Sequence, residues 1–262
     1  MTNFTEFKSL VDEKIHAHQV IADNQYTKWF AANAKNHEDV KDLIKQLAVF
    51  SNDLNIALLH RLINAKTRDS MRKTKEILMN ELGVIYKPKN TIDYNPEDVG
   101  NLGSVDGGKF RFKAAHYEWL ADTGEAVGLR FDEFGQTQQG NAQSQEFSRI
   151  MIDVYKSLEA SESDGANYAL EHWASSGFWV DLIAGFKKLE KETQKKIPIG
   201  YFTFHYEIEA QHTSHTEDDL VEIFNNSDFN EQNFLRGATK ILDALNLFWT
   251  GLHQSALTRN LH

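Results

Sequence analysis

Apolar residues recur at every third or fourth position along most of the chain, which is the spacing of one face of an α-helix. The first such stretch runs from Phe4 to Ala32. A second follows Asn36, a residue type that caps helices, and it is apolar over much of its circumference, as expected of a central bundle helix. A third runs from Arg68 to Leu82 and ends at Gly83. Further helices are predicted at about 112–127, 145–160, 164–176, 178–195, 200–214, 216–225 and 229–256, the last of them capped by Asp228.

Helix-breaking residues are concentrated in one part of the chain. Eight of the fifteen glycines lie within residues 100–140, and two of the three prolines lie just before them. Two excursions are therefore predicted, a long one at 84–110 and a polar, glutamine-rich one at 132–144. No convincing segment of alternating polarity and no internal repeat is visible. The pattern predicts an all-α fold, with residues 1–262 forming a single domain.

Composition narrows the class of protein. The chain is 41% hydrophobic and 25% charged, an ordinary globular balance. Its polar N-terminal segment lacks the apolar centre of a signal peptide, and no apolar run approaches the roughly 20 residues that cross a bilayer. The absence of cysteine excludes disulfides and thiolate ligands and fits a reducing compartment, so a cytoplasmic protein without a membrane partner is expected. The formal charge of −10 carries no dense basic stripe, which argues against a nucleic-acid partner.

The densest group of potential metal ligands lies near residue 205. At about 100° per residue on a helix, Glu209 lies roughly 40° from His205 and His212 about 20° to the other side. The three side chains therefore share one narrow stripe. Two imidazoles and a carboxylate, with other positions open, are the ligands expected for non-haem iron that binds dioxygen. The plainer alternative is a solvated helix face that carries no metal.

One helix cannot complete such a site, so other helices of a bundle have to supply ligands. Glu171 lies among aromatic residues, where an unpaired carboxylate is costly and a metal ion would compensate it. A surface glutamate is the alternative there. His116 shares a face with apolar residues and is either a ligand or a satisfied core histidine. Glu81, which closes the third predicted helix, is a further candidate.

These segments together resemble a known family. The sequence HYEIEAQH at 205–212 is similar to the H-x3-D-x2-H helix of the haem-oxygenase-like diiron oxidases and the CADD-like proteins, with Glu209 in place of the usual aspartate. The sequence YALE at 168–171 resembles the helix that carries the bridging glutamate of that family, and the segment 116–129 resembles the one with its first histidine. With the aromatic closing helix ILDALNLFWTGLHQSAL, the resemblance covers nearly the whole chain in the right order.

The resemblance implies a haem-oxygenase-like bundle of about seven main helices that binds iron and reacts with dioxygen. Two iron ions are the implied cofactor. The residues that the resemblance assigns as their ligands are Glu81, His116, Glu171, His205, Glu209 and His212. Of these, Glu171 and His205 are expected to carry the catalysis. The first glutamate of the family usually stands a few residues before the first histidine, where this chain has Lys109. The nearest alternatives are Glu97 and Glu81, of which Glu81 is favoured because its Asn-Glu-Leu-Gly context is like that of the family. Without such a glutamate, either one iron ion or a degenerate site is expected.

The implied partners are dioxygen and a small organic substrate of the amino-acid, fatty-acid or aromatic-amine type. A homodimer is a further expectation of the family, although no feature of the sequence demands it. Four tyrosines near the predicted site are either one-electron donors or ordinary core aromatics: Tyr26, Tyr168, Tyr201 and Tyr206.

Three alternatives remain open at this point. A thiaminase-like enzyme shares the expected fold but needs a cysteine nucleophile, which the chain lacks. A haem enzyme would use one axial histidine, for which His16 and His18 are available. The third alternative is a non-catalytic binding or interaction protein that keeps the bundle while its metal site has degenerated.

Overall fold

A computed structural model describes residues 3–84, 102–105, 108–111 and 115–259, including their side chains except at 102–111 and 208–219. The regular structure of this part of the chain is helical apart from one hairpin, so the predicted all-α class is confirmed. The helices are α1 (Phe4–Val11), α2 (Gln19–Ala22), α3 (Gln25–Asn33), α4 (His37–Asn64), α5 (Arg68–Glu81), α6 (His116–Ala126), α7 (Ala142–Tyr155), α8 (Ala160–Ala174), α9 (Trp179–Thr193), α10 (Gly200–Phe224) and α11 (Glu231–Arg259). The hairpin consists of β1 (Leu102–Val105) and β2 (Gly108–Arg111). Among the described helices, none is both long and apolar enough to cross a membrane.

The first helical stretch, from Phe4 to Ala32, is divided into α1, a π-helical turn at Asp12–His16, α2 and α3. Two side-chain caps account for the division. The His18 ring accepts a hydrogen bond at 3.3 Å from the backbone N–H two residues on, and α2 begins there. The Asn24 side chain accepts hydrogen bonds from two backbone N–H groups of the next turn, and α3 begins there. Side chains that cap a new helix compete with continuation of the old one.

Other predicted boundaries also differ: α7 and α8 each begin three to four residues earlier than predicted and end two to five residues earlier. Helix α10 is continuous where two helices were predicted on either side of residue 215, because no glycine or proline interrupts it. Helix α11 is capped by Asn230 and not by Asp228, since the Asn230 side chain accepts a hydrogen bond at 2.9 Å from the backbone N–H three residues on. Helix α6 begins at His116, four residues later than predicted.

The predicted 84–110 excursion includes most of the antiparallel hairpin, in which Leu102 lies opposite Arg111 and Val105 lies opposite Gly108. No strand was expected there from the sequence. Strands of four residues are too short for alternating polarity to become visible in the sequence. The other residues of the excursion, 84 excepted, lie outside the described part of the chain.

Helices α8 and α11 form the closest packed pair. A Cβ atom at Gly165 would lie 2.0 Å from the backbone oxygen of Phe234, and one at Gly237 would lie 1.9 Å from that of Glu162. Both contacts involve backbone, which cannot move aside. Glycine is therefore required at both positions for the two helices to approach this closely.

The other long helices enclose the interior. Helix α4 packs against α5, α6 and α7, and α10 packs against α6, α8 and α9. Residues from α4, α5, α6, α8 and α10 consequently face one another at a common internal space.

Candidate metal centre

A cavity of about 110 Å³ lies inside the bundle, lined by residues of α4 to α10. Aromatic and aliphatic side chains form most of its wall, among them Leu54, Trp173 and Phe204. Four acidic or imidazole side chains also line it: Glu81, His116, Glu171 and His205. Each comes from a different helix, respectively α5, α6, α8 and α10. Four of the six ligands predicted from the sequence therefore line the same enclosed space.

Glu81 and His116 are in direct contact. Glu81 is the last residue of α5 and His116 the first of α6, and the Oε2 atom of Glu81 lies 2.8 Å from Nδ1 of His116. Their side chains are only 11% and 5% exposed. Despite the short distance, neither ring nitrogen of His116 has an aligned hydrogen bond among the described residues. Buried ring nitrogens almost always have a partner, so this pair has the chemistry of ligands that would be satisfied by a bound cation.

The tautomer of His205 is fixed by its own helix. Its Nδ1 atom lies 2.7 Å from the backbone oxygen of Tyr201, one turn earlier on α10. Since a carbonyl oxygen only accepts, Nδ1 carries the proton, and Nε2 of the neutral ring presents a lone pair. The ring stacks on Trp179 at 4.7 Å between centroids and lies 4.7 Å from the ring of His116. His205 is therefore oriented and held in the form in which histidine binds metals.

Glu171 lies half-buried on α8, and two tyrosines line the cavity with it. Burial raises the pKa of Tyr155, and the charge of Glu171 raises it further. Burial likewise raises the pKa of Tyr201, and the charge of Glu81 adds to the effect. Both phenols therefore stay protonated at neutral pH and can donate hydrogen bonds within the cavity. That of Tyr155 lies 3.5 Å from the side-chain oxygen of Asn167.

The two remaining predicted ligands, Glu209 and His212, lie on α10 beyond His205, but their side chains are outside the described residues. Among the side chains that the structure describes, no three acidic or histidine groups come close enough together to hold a metal ion. The four described candidates share a cavity without converging on one point. A complete metal site here would require ligands from the next turns of α10.

Of the four tyrosines singled out in the sequence, Tyr201 lines the cavity. Tyr26 is buried against Trp249, and Tyr206 is 49% exposed. Tyr168 is buried and contacts His16.

The histidines proposed as haem ligands are engaged elsewhere. His16 lies 2.8 Å from Asp12 through Nδ1 and 3.0 Å from the Tyr168 hydroxyl through Nε2. His18 caps α2 with one nitrogen and lies 3.2 Å from Asp243 with the other. An axial haem ligand needs a free nitrogen in a pocket, and neither residue offers one.

Sequence reasoning missed the groups that orient the candidate ligands. Trp179, which stacks on His205, begins α9, and nothing in its sequence context links it to α10. The backbone oxygen of Tyr201 was in principle predictable, since position i−4 on a helix lies directly beside a histidine at i.

The fold has solved counterparts. Two crystal structures of a CADD-like protein of unknown function from Nostoc punctiforme, at 2.00 and 1.35 Å resolution, superpose with TM-scores of 0.64 and 0.61. The alignments cover 96% and 97% of this chain and 99% and 97% of the other, at 17% sequence identity. This chain has the CADD-like fold.

The CADD-like fold was expected from the order and spacing of the sequence segments, and that expectation is confirmed. No protein-family model matches the chain, and no curated protein sequence matches it. At 17% identity the likeness establishes architecture, while the chemistry of the site has to be argued from its residues.

Proposed function

We propose that this protein is a non-haem iron, dioxygen-dependent oxidase or oxygenase that acts on a small organic substrate. One observation carries the proposal: two carboxylates and two imidazoles from four helices line a single, mostly apolar cavity. Polar groups buried in this way are costly unless they are compensated. Carboxylate oxygens with imidazole nitrogens form the ligand set that suits iron in helix bundles.

The residues proposed to hold iron are Glu81, His116, Glu171 and His205, completed by Glu209 and His212. Their donor chemistry fits iron, because His116 is buried with both nitrogens unsatisfied among the described residues, and the Nδ1 contact of His205 makes Nε2 its basic nitrogen. Two ions are proposed, or one if Glu81 serves only as a partner of His116. When bound, ferrous iron supplies electrons and an open coordination position with which dioxygen can oxidise an organic molecule.

The chain's own residues bind and orient the substrate in this proposal. Leu54, Leu58 and Trp173 exclude water from the cavity and contact the apolar part of a ligand. Asn80 and Asn167 line the same cavity and can hydrogen-bond a polar substituent. A volume of about 110 Å³ restricts the buried part of the ligand to a small group. The proposed substrate types are those of amino acids, fatty acids and aromatic amines.

A second candidate is a non-catalytic binding protein on the same bundle. It is favoured by the absence of any convergent group of three metal-binding side chains among the described residues. In that case the apolar cavity would bind an organic ligand, and Glu81 with His116 would remain as a polar contact in its wall. Iron content distinguishes the two candidates directly.

The test measures iron bound per chain and oxygen uptake after anaerobic loading with Fe(II). It compares the parent with His205→Ala, Glu171→Ala and the control His253→Ala, whose half-buried side chain lies on α11 away from the cavity. Parent and control are expected to bind about two ions and consume oxygen. Each ligand variant is expected to lose affinity for iron by at least about tenfold. A folded parent that binds no iron tightly would refute the oxidase and leave the binding protein.

A further inference from the structure

A second group of polar residues lies outside the cavity, where the π-helical turn meets α8. Nδ1 of His16 lies 2.8 Å from a carboxylate oxygen of Asp12, and Nε2 lies 3.0 Å from the hydroxyl of Tyr168. The ring of His16 also stacks on that of His172, with 3.9 Å between centroids. Carboxylate, imidazole and phenol are therefore joined in one row. None of the three lines the cavity.

The order of the row fixes where its protons lie. The Asp12 carboxylate can only accept, so Nδ1 of His16 carries the proton of the neutral ring. Nε2 then has a lone pair, and the hydroxyl of Tyr168 donates to it. This arrangement is a phenol whose proton is already directed at a base, with a carboxylate placed to stabilise the imidazolium that would form.

The local backbone is unusual at this point. Asp12 to His16 form a π-helical turn between α1 and α2. Such turns are rare, and they occur frequently at functional sites. Here the turn holds both the carboxylate and the imidazole of the row.

Tyr168 is also close in sequence to a residue that lines the cavity. It is 4% exposed and lies three positions before Glu171 on α8, which puts the two residues one helical turn apart. The side chain of Asp12, at the other end of the row, is 53% exposed. The row therefore runs from the turn beside a proposed iron ligand to solvent.

We propose that Tyr168 is a one-electron donor to the proposed iron centre and that His16 accepts its phenolic proton, an inference that rests on the proposed function. Iron held by the proposed ligands would, with dioxygen, supply the oxidant. The phenol of Tyr168 would give up one electron to it, its O–H bond would break, and an N–H bond would form at Nε2 of His16. The products are a neutral tyrosyl radical and an imidazolium that keeps its Nδ1–H bond to Asp12. Coupling the proton to the electron avoids a phenol radical cation at Tyr168, a charge that burial makes costly.

A purely structural role makes a different prediction. A buried phenol needs a hydrogen-bond partner in any case, and His16 would satisfy it without any redox function. In His16→Gln, the side-chain oxygen can still accept the hydrogen bond but cannot take up a proton. A structural role would therefore be preserved in this variant, and a proton-accepting role would be lost.

The experiment mixes Fe(II)-loaded protein with dioxygen, freezes it, and measures tyrosyl radical by electron paramagnetic resonance. Iron bound is measured in every sample, so that radical is expressed per iron. Parent protein made with ring-deuterated tyrosine shows whether the signal belongs to a tyrosine. The variants are Tyr168→Phe, His16→Gln and the surface variant Asp12→Asn. The matched control is Tyr26→Phe, another buried tyrosine that is absent from the cavity wall.

The expected result is a tyrosyl radical in the parent and in Tyr26→Phe, and none in Tyr168→Phe. His16→Gln is expected to lower the yield about tenfold, the size of one charge-assisted hydrogen bond, and Asp12→Asn to lower it less. An undiminished radical yield in Tyr168→Phe or in His16→Gln would overturn the inference. Iron binding in the parent without any radical would overturn it too. In each of these cases the proposed function would still stand. A parent that binds no iron would overturn both. If Tyr168→Phe does not fold, the ratio of His16→Gln to parent decides the matter.

Discussion

Two regions of this bundle bury a carboxylate to nearly the same extent but differ in how far the surrounding groups compensate its negative charge. In the seam between α8 and α11, the Glu162 side chain is 10% exposed and contacts Arg236 at 3.1 Å, Lys240 at 2.9 Å and Ser157 at 2.8 Å. At the cavity, the Glu81 side chain is 11% exposed, and its ionic contact among the described residues is His116. The seam compensates its buried charge within the protein, while the cavity leaves that compensation incomplete.

Helix position strengthens the contrast. Glu162 lies in the first turn of α8, where the helix dipole stabilises a negative charge. Glu81 is the last residue of α5, where the dipole opposes one, and the last turn of α5 contains no basic residue. A carboxylate that is buried, opposed by a dipole and paired with a histidine has no structural advantage of its own. Burial alone therefore does not distinguish a structural carboxylate from a candidate functional one, and the extent to which the protein compensates the charge is the better criterion.

The close packing of the seam is open to a direct test. Gly165→Ala introduces a Cβ atom 2.0 Å from the backbone oxygen of Phe234, so the two helices have to separate. We expect a loss of unfolding free energy of about 3 kcal/mol or more, measured by urea denaturation of the metal-free protein. The matched control is Gly200→Ala at the start of α10, whose added Cβ atom would lie 3.5 Å from Trp119, an ordinary contact. Equal losses in both variants would show that the seam is no more tightly packed than the start of α10.

A second prediction compares how much each of the two carboxylates contributes to the stability of the metal-free protein. Glu162→Gln removes the charge that Arg236 and Lys240 share, and we expect it to cost about 2 kcal/mol of unfolding free energy. Glu81→Gln removes a charge that burial and the helix dipole oppose, so we expect a change below about 0.5 kcal/mol or a gain. Urea denaturation at neutral pH measures both. A larger loss in Glu81→Gln than in Glu162→Gln would show that Glu81 is a structural residue.

The same two regions show how far the sequence predicts this protein. The helices follow from apolar periodicity, which depends only on local spacing, and the order of the resembling segments predicted the CADD-like fold. The hairpin was missed although Asp106-Gly107, between β1 and β2, is a strong turn signal. The division of the first helical stretch was missed because His18 and Asn24 act as caps only once the backbone has turned.

For the site, residue types were predictable and relationships between helices were not. Local spacing indicated the stripe around His205, and the family pattern indicated Glu81. The contact between Glu81 and His116 joins residues on either side of the 84–110 excursion, and no local pattern encodes it. The stacking of Trp179 on His205 likewise depends on how α9 packs against α10. Sequence therefore indicates which residues are able to bind metal, and packing determines which of them meet.

The contribution of Glu162 to the unfolding free energy is expected to depend on pH. Burial alone would raise the pKa of Glu162, but hydrogen bonds from Arg236, Lys240 and Ser157 outweigh it and lower the pKa to about 2. A carboxyl with a lowered pKa in the folded state stabilises the protein fully above its unfolded pKa of about 4.5, and this contribution is lost as the pH falls towards about 2.

The two cations are half-exposed, so screening reduces the pH-dependent part to about 1 kcal/mol. We therefore expect the difference in unfolding free energy between the parent and Glu162→Gln to narrow by about 1 kcal/mol between about pH 7 and about pH 3. Urea denaturation at both pH values measures it, and Gly200→Ala serves as the control because it changes no titratable group. If this difference in unfolding free energy stayed constant or widened in acid, the Glu162 carboxylate would not be stabilised by Arg236 and Lys240. The seam and the cavity would then no longer differ in how far a buried charge is compensated.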